Sequence, residues 1–61
     1  MPAEFEIKCA ENGEFYWVFK SGNGEVVATS QTYNSKQGCQ KGIDSIKRDS
    51  STAKIHDLTK S

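Results

Sequence analysis

The sequence predicts an α+β fold: a β-β-β-α-β unit spanning residues 1–61 as a single domain, an antiparallel sheet with one helix packed on one face. Two runs of alternating apolar and polar residues near the start point to half-buried strands. Two Asn-Gly dipeptides follow those runs and point to tight hairpins, and a change from period 2 to period 3.6 after residue 35 points to one helix.

In the first strand Phe5, Ile7 and Cys9 alternate with Glu4, Glu6 and Lys8, so three apolar side chains share one face and the charges share the other. In the second, Phe15, Trp17 and Phe19 alternate with Glu14, Tyr16, Val18 and Lys20, and aromatics at this density favour a strand facing the same core. The β-branched run "EVVATSQT" (25–32) makes a third. From Lys36 to Arg48, Cys39, Gly42, Ile43 and Ile46 fall at i, i+3, i+4 and i+7, one stripe of a helix. Asn34 or Ser35 serves as its N-cap, with Gln37 at capping-box spacing from Asn34. "RDSST" ends the helix, and "AKIHDL" (53–58) reads as a short fourth strand.

The tripeptide Asn-Gly-Glu occurs at 12–14 and at 23–25. Gly22-Asn23-Gly24 opens like a dinucleotide fingerprint, but Val27 stands where the third glycine is required, and a strand rather than a helix follows. Both copies therefore read as hairpin turns. A two-residue first turn would set the Phe15-Trp17-Phe19 face against the charges of strand one, so binary patterning selects a three-residue loop, Glu11-Asn12-Gly13. Gly13 then takes the left-handed position, and Cys9 pairs with Phe15, Ile7 with Trp17 and Phe5 with Phe19. For the second turn a two-residue Asn23-Gly24 loop would set Phe19 opposite Ala28 and Trp17 opposite Ser30, small residues that let a helix approach. A three-residue loop would instead turn Val27 and Thr29 inward; the first is favoured and the second stays open.

A chain of 61 residues buries a small fraction of its surface, so a disulfide, a metal or a partner chain is expected to supplement the core. Eight cations balance eight anions, which removes a general electrostatic attraction to nucleic acid or an anionic membrane. The charges are segregated, however. Residues 1–31 carry two lysines against five glutamates, and residues 32–61 carry six cations against three aspartates. A self-complementary molecule or dimer accounts for this better than a basic patch. Two cysteines, an N-terminus without an apolar h-region, and no apolar run near the ~20 residues of a membrane span predict a cytoplasmic protein with reduced thiols.

No catalytic, cofactor-binding or metal-ligating set emerges. His56 is the only histidine, too little with two cysteines for a four-ligand zinc site. Cys9 and Cys39 both read as small core residues, and no nucleophile elbow accompanies the hydroxyls. Gly38 and Gly42, each about 1 kcal/mol worse than Ala in a helix, imply close packing of helix on sheet. The expectation is a non-enzymatic module that works through a protein or small-ligand contact. Tyr16 and Val18, projecting from the sheet face away from the helix, form the candidate patch. The alternative is a weak single-stranded nucleic-acid binder, stacking on Tyr16 or Tyr33 with cations from Lys36, Lys41, Lys47 and Arg48.

The run "NGEFYWVFKSGNGEVVATSQTYNSKQGCQKGIDSIK" (12–47) with "IHDLT" (55–59) resembles the YegP-like family of small bacterial proteins. The shared positions are Gly13 to Phe15, Trp17, Asn23 to Glu25, Ala28, Ser30, Tyr33, Ser35-Lys36, Gly42-Ile43, Ser45 and Lys47. The resemblance implies three strands, a helix and a further strand. It also implies that two units, in tandem or from two chains, build one sheet by exchanging C-terminal strands. With one unit, this chain resembles the homodimeric form. Phe19 and Ile46 depart from the family's Leu and Val, and Tyr16 and Val18 stand where Arg is common. The resemblance brings no catalytic residues and no cofactor.

Overall fold

A computed structural model describes residues 2–60. Three strands, β1 (Glu4–Cys9), β2 (Phe15–Lys20) and β3 (Val26–Thr29), are followed by helix α1 (Lys36–Asp49) and a 3-10 turn at Ser50–Thr52. The strands form one antiparallel sheet in the order β1-β2-β3.

The β1–β2 register is the one binary patterning selects: Cys9 faces Phe15, Ile7 faces Trp17 and Phe5 faces Phe19. Glu11-Asn12-Gly13 forms the turn, with Gly13 at φ 87°. Gly13 N donates to Ala10 O at 3.0 Å, and Ala10 N donates to Glu14 O at 2.7 Å. Asn12 Oδ1 accepts from Glu14 N at 3.0 Å, an Asx bond that braces the bend.

The second turn repeats the first rather than shortening to two residues. Gly24 sits at φ 88° and its N–H donates to Ser21 O at 2.9 Å, while Ser21 N donates to Glu25 O at 2.9 Å. The loop is therefore Gly22-Asn23-Gly24. A bulge then corrects the register. Lys20 faces Val26, the next pair is Phe19 with Ala28, and Val27 is left over. Phe19 thus meets Ala28 as expected, by a three-residue turn plus one extra residue. Alternation around a turn counts residues modulo two, so a shorter loop and a longer loop with a bulge look alike in sequence.

β3 ends sooner than the expected 25–32 because a side chain takes over the ladder. Trp17 N donates to Ser30 Oγ at 2.9 Å, while Ser30 N donates to Trp17 O at 2.9 Å. One further bridge, Phe15 with Tyr33, is closed by bonds of 2.9 and 2.7 Å and ties the start of the helical segment back to β2.

Ser35 caps α1, its Oγ accepting from Gly38 N at 3.0 Å. With the cap at Ser35, Gln37 is not the third helical residue, so the capping box spaced from Asn34 is not the one used. Lys47 and Arg48 in the last turn suit the negative end of the helix.

Trp17, Cys39 and Ile43 form the buried core, with Phe5, Ile7, Phe15, Phe19 and Tyr33 packed around it. Cys39 is fully buried, as its stripe position implies, but Cys9 is exposed at the end of β1. Both thiols are free, and burial pushes that of Cys39 up. Gly38 and Gly42 make close packing possible, but the group they admit is Tyr33. A Cβ at Gly42 would stand 2.9 Å from Tyr33 Cζ. The fourth strand expected at 53–58 does not form: residues 53–60 take no regular structure and pair with no strand among the described residues.

Candidate interaction surfaces

The outer face of the sheet is built by the alternate residues of the strands. Glu6 faces Val18, Val18 faces Thr29, Lys8 faces Tyr16, and Glu4 faces Lys20. Glu6 Oε1 lies 3.2 Å from Lys20 Nζ and 4.0 Å from Lys8 Nζ. A side-chain hydrogen bond shared with Glu4, then the bond and charge of Lys20, hold the Glu6 carboxyl below its ordinary value. Val18, at the centre of the middle strand, is only 5% exposed. Its place in the candidate patch is therefore corrected: cross-strand neighbours on both sides leave it no surface to offer. Tyr16 is half-buried and remains on this face.

The residues proposed for nucleic-acid stacking and phosphate contact are not gathered in one place. Tyr33 lies against the glycine side of α1 and is paired to Phe15, so its ring is a packing element rather than a free platform. Tyr16 projects from the opposite side of the sheet from the helix that carries Lys36, Lys41, Lys47 and Arg48. At about 100° per residue these four separate into Lys36 and Lys47 on one flank of the buried stripe and Lys41 and Arg48 on the far side. Arg48 Nε is also paired with Asp49 Oδ1 at 3.4 Å.

The inner face holds a feature the sequence reading did not find. α1 packs over β1 and β2 and leaves β3 exposed along its whole length. Between the C-terminal half of α1 and the sheet lies an apolar groove of about 320 Å³, walled by Phe5, Trp17, Phe19, Ala28, Ile46 and Lys47. Its floor is a cluster of aromatics: Phe5 meets Trp17 edge-on at 5.3 Å between centroids and meets Phe19 tilted at 4.9 Å. Trp17 Nε1 is buried without a hydrogen-bond partner among the described residues. Ile46, assigned by periodicity to the inner stripe, is 43% exposed at the rim. Ala28 opposite Phe19 was the available signal: a small residue there leaves space, which the helix does not fill.

The polypeptide after α1 carries the complementary excess. Ile55 is 97% exposed and Leu58 81% exposed. Thr59 N and Oγ1 both donate to Asp57 Oδ1, at 2.9 and 2.6 Å, and these bonds hold the Asp57 carboxyl below its usual value. His56 lies in this exposed segment. Among the described residues no three or more His, Cys, Asp or Glu side chains are grouped to hold a metal ion, and no helix is long and apolar enough to cross a membrane.

Three antiparallel strands ordered by two bulge turns, with one helix across two of them, define the class: a small α+β unit with a β-β-β-α core. The family model described as domain of unknown function DUF1508 matches residues 10–57, and the chain belongs to that family; it is 40% identical over 50 residues to the UPF0339 protein YegP of Escherichia coli, covering 82% of this chain and 46% of that one. UPF0339 protein PA0329 of Pseudomonas aeruginosa is 43% identical over 53 residues, which are 87% of this chain and 48% of that one. A UPF0339 protein of Methanosarcina acetivorans is 38% identical over 53 residues, covering 87% of this chain and 91% of its own. The chain thus spans about half the length of some curated relatives and nearly all of others. The solution structure of a protein from Haloferax volcanii superposes with a TM-score of 0.82 at 30% identity, covering 92% of this chain and 95% of that one.

Proposed function

We propose that the chain is a non-enzymatic, cytoplasmic interaction module that works as a homodimer, each copy laying its residues 53–58 against the partner. The observation that carries this reading is the pairing of an apolar groove at Phe5, Trp17, Phe19 and Ala28 with an exposed segment containing Ile55 and Leu58. An aliphatic side chain left in water forgoes about 1.5–3 kcal/mol relative to burial, so two such residues within residues 53–60 favour a covering surface. The segregation of acidic and basic residues between the two halves supports a second copy as that surface. Relatives of about twice this length have room for a second unit in one chain. In the dimer, Tyr16 and the rim of the groove are the contact points for a protein or small-ligand partner.

Sedimentation at micromolar concentration tests the assembly. A mass of two chains is expected for the native sequence and one chain for an Ile55→Asp/Leu58→Asp variant that keeps its helical signal. A native monomer at that concentration would contradict the reading.

A further inference from the structure

Asn12-Gly13 and Asn23-Gly24 share a chemistry distinct from their role in turns. Asparagine is a thermolabile residue, and glycine after it presents a backbone nitrogen unshielded by a side chain. That nitrogen can attack the asparagine Cγ. A new N–Cγ bond closes a succinimide as the nitrogen gives up its proton and Cγ–Nδ2 breaks to release ammonia. Water then opens the ring at either carbonyl, giving aspartate or isoaspartate.

Both asparagines are exposed, yet both turns hold the reacting groups in place. Gly13 N–H donates to Ala10 O at 3.0 Å and Gly24 N–H to Ser21 O at 2.9 Å. Each asparagine Oδ1 is directed instead to the N–H of the following glutamate, at 3.0 Å in the first turn and 3.2 Å in the second. The reaction therefore needs the turn to open.

The two turns differ in what keeps them closed. In the first, Asn12 Nδ2, the group that must leave, also donates to Glu14 Oε1 at 3.2 Å. The flanking strands pair without interruption from Glu4–Lys20 to Cys9–Phe15. In the second, Asn23 Oδ1 accepts from Ser21 Oγ, but its Nδ2 has no such bond to Glu25 among the described residues. The strand it introduces is four residues long, exposed throughout and bulged at Val27. Segments with little buried surface open locally at the lowest free energy.

We propose that Asn23 is a self-modifying site, converted to aspartate or isoaspartate through local opening of the second hairpin, and that Asn12 is protected by its Glu14 clamp. The product adds a negative charge beside Glu25, at a corner of the sheet where Asn23 lines a pocket with Glu4 and Lys20. Isoaspartate also lengthens the backbone by one carbon within the turn, disturbing the hairpin that sets Lys20 against Val26. Chemical ageing thus begins at the β2–β3 hairpin.

The test is incubation of the folded full chain at mildly alkaline pH, with peptide mapping of each site for the mass change of NH₂ to OH and isoaspartyl-specific methylation. A parallel incubation in urea supplies the unfolded rates. Similar rates at the two sites are expected in urea; in the folded chain both slow, and Asn23 converts several-fold faster than Asn12. Folded rates equal to those in urea, or Asn12 converting as fast as Asn23, overturn the proposal. Glu14→Ala, checked by thermal melting to remain folded, should raise the Asn12 rate toward that of Asn23 and leave Asn23 unchanged. An unchanged Asn12 rate overturns the clamp.

Discussion

Gly42 is where one hydrogen atom in place of a methyl group decides the packing. Two backbone bonds to Phe15 hold the Tyr33 main chain in place, so a side chain added at residue 42 must be accommodated by turning the tyrosine ring out of its packed position. Gly42→Ala would gain about 1 kcal/mol of helix propensity and lose roughly 1–3 kcal/mol to overpacking. A net loss of about 1 kcal/mol in chemical denaturation is expected. In a Tyr33→Ala background the same change should become stabilising, because only propensity remains; continued destabilisation there would sink the account. The helix glycines were legible as a sign of close packing, but their partner was not, because Tyr33 reaches them from a loop. Glu6 supplies a pH test at the same scale. Its folded pKa is depressed, so its stabilising contribution is present above its unfolded value near 4.5 and fades as pH falls through the folded value. Glu6→Gln should flatten the fall of melting temperature with pH below that point. A profile identical to the native one would show that the Glu4, Lys20 and Lys8 contacts do not matter to stability.

The β2–β3 hairpin shows how an element obtains its register from several small devices. The first turn was readable because the alternative would have placed aromatics against charges on β1. The second was only half readable, since the bulge at Val27 compensates for the extra loop residue and preserves the facing of Phe19 and Ala28. Patterning reports which face a residue takes, and a turn and its bulge enter that parity together. Ser30 then closes the ladder by accepting the Trp17 N–H on its hydroxyl oxygen. Ser30→Ala would leave that part-buried donor without an acceptor, at a cost of about 1–3 kcal/mol. Ser30→Thr, which keeps the oxygen, should restore most of the stability. Equal stability of Ser30→Ala and the native chain would mean that water or a backbone carbonyl takes over.

At the scale of the whole molecule, the chain is more extended than its length requires. Its radius of gyration is 13.5 Å, against about 10.5 Å for a compact chain of this size. The excess is consistent with residues 53–60 lying away from the sheet, with Ile55 and Leu58 in water. If two copies cover these residues mutually, thermal stability must depend on protein concentration, by mass action. Dilution across two decades in the micromolar range should lower the melting temperature of the native chain but not that of Ile55→Asp/Leu58→Asp. A native melting temperature independent of concentration would count against the dimer.

The sequence by itself determined what depends on local periodicity and turn chemistry: three strands, one helix, the faces they present and the β1–β2 register. The tertiary structure alone decided what depends on distances between elements. It buried Val18, set Tyr33 on the helix, placed Tyr16 and the helix cations on opposite sides of the sheet, and opened the groove above Ala28. Periodicity assigns a residue to a face, but whether a neighbour covers that face depends on where the helix comes to rest. Here it rests on two strands of three and leaves the third, and the segment beyond the helix, uncovered.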